Sequence, residues 1–311
     1  MTNFAASVID KLKNIAKENN KAFNAISILY YQERFLTRLS MSNYKENFIL
    51  KGGLYLYSVT KFKSRPTRDM DFSGRSLSND SFTLASIVKD ICKLQPNDVE
   101  NDGVVFHTEQ IQHEIIKEDA EYEGVRIIIP CSLGNMRERL QLDIGFGDVI
   151  IPNPQTIDYP VLLPHMSAPE LLVYTNESVI AEKFEAMVSL SVANSRMKDF
   201  YDIFTLARTN SFEGSRLCHA VSATFKRRTT IINKDHIIFS KDFYNDKRRL
   251  IMWSNFIRNL KPDDSPTFQE VMECIHTFLR PIYNHVLDEQ DFLSEWNHHK
   301  ANWEDLQANH Q

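Results

Sequence analysis

Two carboxylates stand two residues apart in Asp69-Met70-Asp71, behind the cations Lys61, Lys63, Arg65 and Arg68 and ahead of Phe72. The polar–apolar alternation is that of a half-buried strand, which puts both aspartates on one face, roughly 7 Å apart at about 3.3 Å of rise per residue. Like charges so placed need a cation between them, and hard carboxylate oxygens suit Mg²⁺. A second alternating stretch, R-L-Q-L-D-I-G-F over 139–146, sets Leu140, Leu142 and Ile144 on one face and Asp143 with Gln141 on the other. If it pairs near Asp69–Phe72, Asp143 becomes a third carboxylate, and three can hold the metal ions that serve phosphoryl or nucleotidyl transfer. Upstream, Lys51-Gly52-Gly53 marks a strand-to-helix turn, whose backbone N–H groups and positive dipole end suit a phosphate.

Further along, N-E-S-V-I-A-E-K-F-E-A-M-V-S-L is helical by period, and Lys183 has Val179, Ile180, Ala186 and Met187 as its helical neighbours. An inward lysine is costly unless it meets an anion. In R-M-K-D-F-Y-D-I-F, Asp199 and Asp202 share a helix face, so either could anchor Lys183 and aim its ammonium at a nucleotide phosphate. Asp199 could instead be an N-cap. Replacing Lys183 by Met keeps the apolar stem, and is expected to fold at least as well as the parent while losing nucleotide binding.

The elements that must position these residues fall into two groups. Residues 5–40 are helical by period, Phe48–Leu50 is a short strand, and a helix begins at Leu54. After the Asp69–Phe72 strand comes a helix over 80–94 with Phe82, Ile87 and Ile91 on its buried side. Strands follow at Val104–His107 running towards Ile116, at Gly124–Ile129 and at Arg139–Phe146. A connector punctuated by Pro152, Pro154, Pro160, Pro164 and Pro169 leads into a pattern that is almost wholly helical from Asn176. Strands early and helices late make the fold class α+β: a small mixed β-sheet domain over 1–165, then a helical domain over 166–311.

Of the 311 residues 42% are hydrophobic, and the net charge is −5, so any polyanion site must be a local patch. The basic runs F-K-R-R-T at 225–229 and D-K-R-R at 246–249 are candidates for RNA backbone contacts. Four scattered cysteines with no C-x-x-C indicate neither a disulfide framework nor a zinc site. With no signal-like or spanning apolar stretch, the protein is expected to be soluble and cytoplasmic.

In this order, K-G-G, R-P-T-R-D-M-D-F, L-Q-L-D-I, E-S-V-I-A-E-K-F-E-A and R-M-K-D-F-Y-D-I resemble the abortive-infection nucleotidyltransferase toxins, the AbiEii/AbiGii group that includes the MenT toxins, within the DNA polymerase β-type superfamily. The resemblance spans roughly 48–208. It implies Mg²⁺-dependent transfer of a nucleotide from an NTP to an RNA acceptor, the 3′ end of tRNA in MenT-like members, blocking translation. A cognate AbiEi-like antitoxin is implied as partner, and no membrane. The family roles fall on Gly52 and Gly53 (phosphate turn), Asp69 and Asp71 (metal and catalysis), Lys183 (nucleotide phosphates) and Asp199 or Asp202 (the essential acid of the last motif). Arg65 and Thr67 stand where members often carry R-x-S before D-x-D and would bind the nucleotide; G-G replaces the superfamily's G-S. Two other classes share parts of this pattern. Nucleotide-sugar glycosyltransferases use D-x-D, but need neither the glycine turn nor the inward lysine. A catalytically inactive nucleotide- or partner-binding module need not retain the acids.

Overall fold

The computed structural model describes residues 4–60, 67–96, 101–119, 122–260 and 264–305. It divides into two compact units, one of residues 1–147 with 154–174, the other of 148–153 with 175–311.

The first unit opens with α1 (Phe4–Glu18) and α2 (Phe23–Met41), followed by β1 (Phe48–Lys51), α3 (Gly52–Val59), β2 (Asp69–Gly74) and α4 (Ser81–Lys93). Then come β3 (Val104–Phe106), β4 (Gln112–Asp119), the hairpin β5 (Tyr122–Leu133) and β6 (Met136–Phe146), and β7 (Gln155–Asp158) with β8 (Glu170–Val173). These eight strands form one mixed sheet in the order β3-β5-β6-β2-β1-β8-β7, with β4 also on β5. Strand β2 runs antiparallel to β1 and parallel to β6.

Alternation sorts the two faces. Met70, Phe72, Val125, Ile127, Ile129, Leu140, Leu142 and Ile144 are in register across β2, β6 and β5 and are fully buried. Their odd-numbered or even-numbered neighbours, Asp69, Asp71, Arg126, Gln141 and Asp143, take the opposite face because successive strand residues alternate. Helix α2 packs against β6, β8 and α4, and is buried from Ile26 to Leu39. So deep a helix must satisfy its polar side chains internally. Glu33 pairs with Arg34 and accepts the Leu162 N–H at 2.6 Å, while Arg38 meets Asp102 at 2.6 and 3.3 Å.

In the second unit α5 (Asn176–Leu190), α6 (Met197–Thr209), β9 (Phe212–Glu213) and α7 (Gly214–Arg227) lead to α8 (Lys241–Tyr244), α9 (Lys247–Leu260), α10 (Phe268–Leu287), β10 (Ser294–Asn297) and β11 (Asn302–Asp305). Phe184 centres its core, with the rings of Phe225, Tyr283 and Phe239 at 5.5, 5.9 and 6.2 Å. Among the described residues no helix is long and apolar enough to cross a membrane.

The α+β class and the helical second half are as expected; among the details that differ, the proline-punctuated connector contains the strands β7 and β8. The small sheet β11-β10-β9 interrupts the helical half; strands of two to four residues carry too little alternation to read. On α4 the buried side is Leu84, Ala85, Val88, Ile91 and Cys92, whereas Phe82 is 74% exposed, its ring lying against His113 at 4.6 Å. The stretch 104–116 is two strands parted by a 3₁₀ turn over Thr108–Gln110.

The buried Arg38–Asp102 pair gives a stability prediction. Arg38→Met leaves a buried carboxylate uncompensated and should cost about 3–5 kcal/mol in urea unfolding. Adding Asp102→Asn, which can keep the bond from the Val104 N–H, should recover most of that loss.

Candidate active site

Strand β1 delivers the chain to Gly52, which opens α3 with φ +67°, a left-handed conformation that disfavours any residue with a Cβ. A Cβ there would lie 2.0 Å from Asp71 Oδ2; one on Gly53 would lie 2.8 Å from Thr67 Cβ. Both glycines are therefore set by close approach: the Asp71 carboxylate lies against the first, the Thr67 side chain against the second. Lys51, the N-cap residue, supplies no side-chain bond to the first turn of α3.

The register then builds a row of charge across five strands. Lys51 is opposite Asp71, Asp71 beside Asp143, Asp143 opposite Arg126, and Arg126 opposite Glu114. Asp69, beside Gln141, lies one step along the same face. Arg126 clamps Asp143 with both ends of its fork, Nε to Oδ1 at 2.8 Å and Nη2 to Oδ2 at 2.9 Å. Gln141 Nε2 adds a bond to Oδ2 at 3.0 Å. The hydrogen bond to Asp143, ahead of partial burial that opposes it, raises the Arg126 pKa, with the charges of Asp143, Glu114 and Asp69 adding to the effect.

The backbone entering β2 is held from two sides. Gln32 Nε2, on α2, donates to the Arg68 carbonyl at 2.9 Å and the Thr67 carbonyl at 3.5 Å, and Thr67 Oγ1 donates to the Asp69 carbonyl at 3.3 Å. Arg65, with Lys61 and Lys63, lies outside the described residues.

As a donor set, Asp69 and Asp71 are two half-buried hard carboxylates on one strand face. That fits Mg²⁺, which protein sites hold through one or two carboxylates together with substrate phosphates. No group of three His, Cys, Asp or Glu among the described residues is placed to hold a metal ion, and Asp143 is engaged by Arg126.

In the second unit Lys183 is 9% exposed, and its Nζ is 2.8 Å from both Asp199 Oδ1 and Asp202 Oδ2, themselves 0% and 2% exposed. Asp199 lies in the first turn of α6, whose N-cap residue is Arg196, so it is an ion-pair partner and not the cap. Arg196 Nε is 2.6 Å from its Oδ2, a charge contact whose angle does not make a hydrogen bond. Burial pushes the Asp199 pKa up, but the charges of Lys183 and Arg196 and the Lys183 bond together outweigh it and hold the carboxyl below its usual value.

Both basic runs of the helical half are partly structural, which narrows their candidacy as RNA contacts. Arg228 pairs with the buried Glu185 at 2.9 Å. Arg249 is buried, donates to the Phe243 and Val192 carbonyls at 2.8 and 2.9 Å, and lies 3.8 Å over the Phe243 ring.

Three residues of the site escape a reading of the sequence. Lys51 was legible as the residue before G-G, but not as the one opposite Asp71. Arg126 is the single polar break in the apolar run V-R-I-I-I. Gln32 carries no local signal, since its role depends on a segment 35 residues away.

The model of a family described as "Nucleotidyl transferase AbiEii toxin, Type IV TA system" matches residues 34–274. Two solved structures are similar in fold. JHP933 from Helicobacter pylori is 16% identical with a TM-score of 0.48, the match covering 86% of this chain and 95% of that one. A "putative nucleotidyltransferase from H. pylori" is 16% identical with a TM-score of 0.46, covering 87% and 98%. No curated protein matches.

Two outcomes follow from this geometry. Gly52→Ala should lower stability by about 1–2 kcal/mol through left-handed strain alone, and more through its overlap with Asp71, measurable as a drop in thermal midpoint. Lys183→Met, contrary to the reading from sequence, should destabilise by about 3–5 kcal/mol at neutral pH, because it strips the counter-charge from two buried aspartates. In the parent, the lowered pKa of Asp199 means that its stabilisation holds above about pH 4 and is lost as pH falls through that lowered value. Without Lys183, burial raises the carboxyl, so protonation favours the folded state. The gap between parent and variant in urea should therefore shrink from pH 7 to pH 4.

Proposed function

The chain belongs to the AbiEii family of nucleotidyl transferase toxins of type IV toxin–antitoxin systems, and from that premise we propose that it moves a nucleotide from an NTP to an RNA acceptor, the 3′ end of tRNA, and thereby blocks translation. As a nucleotidyltransferase it acts on a nucleotide substrate, and as the toxin of a pair it has a cognate antitoxin; we take that partner to be AbiEi-like.

The observation that carries this reading is the approach of Asp71 to Gly52. It sets a carboxylate against the opening of a helix, which supports reading Asp71 as a metal ligand beside amides that can bind phosphate. In the transfer, the acceptor hydroxyl oxygen gives up its proton to solvent and bonds to the donor's α-phosphorus while the bond to the bridging oxygen breaks, and pyrophosphate leaves. Asp69 and Asp71 would hold Mg²⁺, which supplies neutralising charge at the triphosphate. The Gly52 and Gly53 turn and Thr67, with Arg65, are assigned to the donor's phosphates. By the family resemblance Lys183, in the second unit, is assigned to nucleotide phosphate, with Asp199 and Asp202 fixing its ammonium. Asp143 enters as a support: clamped by Arg126, it shapes the field beside Asp71. The glycosyltransferase and inactive-module readings lack the support that family membership gives to nucleotidyl transfer.

Purified protein incubated with Mg²⁺, total tRNA and each labelled NTP in turn should put label on tRNA in a denaturing gel. Asp69→Asn and Asp71→Asn should each cut that transfer by about 100-fold or more while the thermal midpoint holds, since both relieve like-charge repulsion. A UDP-sugar bound more tightly than any NTP in calorimetry would favour the glycosyltransferase instead.

A further inference from the structure

The face of β6 that bears Asp143 continues, at two-residue steps, through Gln141 and Arg139 to Arg137. On β5 the partners of those two arginines are Pro130 and Ser132. Beside them opens a cavity of about 570 Å³ whose lining includes His107, Gln110, Arg137, Glu138 and Arg139, a volume within the range of ligand sites.

These two arginines differ from the other cations described above. Arg38, Arg126 and Arg228 are each consumed by a carboxylate, and Arg249 by carbonyls and a ring. Arg137 and Arg139 are exposed, and neither is within ion-pair range of a carboxylate among the described residues. Glu138, between them, also borders the cavity, and its Oε1 is occupied by the Arg139 backbone N–H at 2.9 Å. Arg137 is held at the hairpin turn by Nη1 bonds to the Gly134 and Met136 carbonyls at 2.8 and 3.1 Å. His107 is fixed to β5 by its ring, 3.0 Å from Ser132 Oγ, and by its backbone N–H to the Pro130 carbonyl at 2.8 Å.

We infer that this strip is where the acceptor strand lies: Arg139 and Arg137 bind consecutive stretches of an RNA phosphodiester backbone, and the cavity at His107 and Gln110 receives a nucleotide of that strand. The inference rests on the RNA acceptor proposed above. Its scale fits. Measured from Gln141, the register partner of Asp69, Arg139 is about 7 Å and Arg137 about 13 Å along the strand. The roughly 7 Å between the two arginines along the strand is the scale of neighbouring phosphates on one extended RNA strand. A donor triphosphate lying at Asp69 and Asp71 has no reach to Arg137, whereas an acceptor strand extending from its 3′ end passes both arginines.

The test uses the full chain, its Arg137→Ala/Arg139→Ala double variant and the Arg137→Lys/Arg139→Lys counterpart. A 5′-fluorescein-labelled unstructured 12-nucleotide RNA is titrated from 50 to 200 mM salt, and NTP binding is followed separately by calorimetry. Removing two phosphate contacts should lower the slope of log K against log salt by about 1.4 and raise the KM for RNA, with kcat and NTP affinity unchanged. The lysine variant should restore most of the slope. If the parent binds NTP but neither this RNA nor tRNA, the acceptor reading fails and this inference with it; tRNA bound without this RNA overturns the strip alone. If the parent binds RNA and the alanine variant binds it with the same slope, the strip is wrong while the acceptor reading stands. A loss of NTP affinity matching the loss of RNA affinity would place both arginines in the donor site and overturn the assignment.

Discussion

The register of β2 between β1 and β6 is the constraint on which the site depends. It lines up Lys51, Asp71, Asp143, Arg126 and Glu114 across five strands, so that charge runs plus, minus, minus, plus, minus. Neighbouring strands are about 4.8 Å apart, close enough for the two central aspartates to repel. The flanking cations answer that repulsion, and Arg126 does so with two hydrogen bonds on Asp143. A slip of one residue would turn the whole row to the apolar face and bring Met70, Phe72 and their partners out. The buried face and the charged face thus enforce the same pairing, and the placement of Asp71 against Gly52 follows from it.

Much of this was legible in the sequence, for reasons specific to each part. The D-x-D pair and L-Q-L-D-I advertise themselves by period-two alternation, and the common facing of Asp71 and Asp143 needed only the guess that their strands meet. Lys183 is visible because four apolar helical neighbours make a charged residue anomalous. The structure resolves that anomaly inside the helical unit by giving it two buried aspartates where one was expected. What stayed hidden depends on partners distant in sequence. Nothing local in α2 says that Gln32 holds the backbone ahead of Asp69, and nothing local in 246–249 marks Arg249 as a buried guanidinium. Phe82 misled because a large apolar residue at the start of an amphipathic helix fits the period yet lies at its edge.

A division of labour among cations runs through the molecule. Several arginines are buried and neutralised, where they hold elements in place at the cost of desolvation. Others stay in water on a sheet face. With a net charge of −5 overall, attraction of a polyanion must come from such local cations. Preorganisation also has a stability cost: paired aspartates are tolerated because the apolar face beneath is continuous and fully buried.

The central claim, that this arrangement transfers the nucleotide and not a terminal phosphate, is tested most directly by where the label sits in the donor. Incubated with tRNA and Mg²⁺, the protein should carry ³²P onto the RNA from α-labelled NTP and release it as pyrophosphate from β,γ-labelled NTP. Label reaching RNA from the γ position, and none from the α position, would contradict the account.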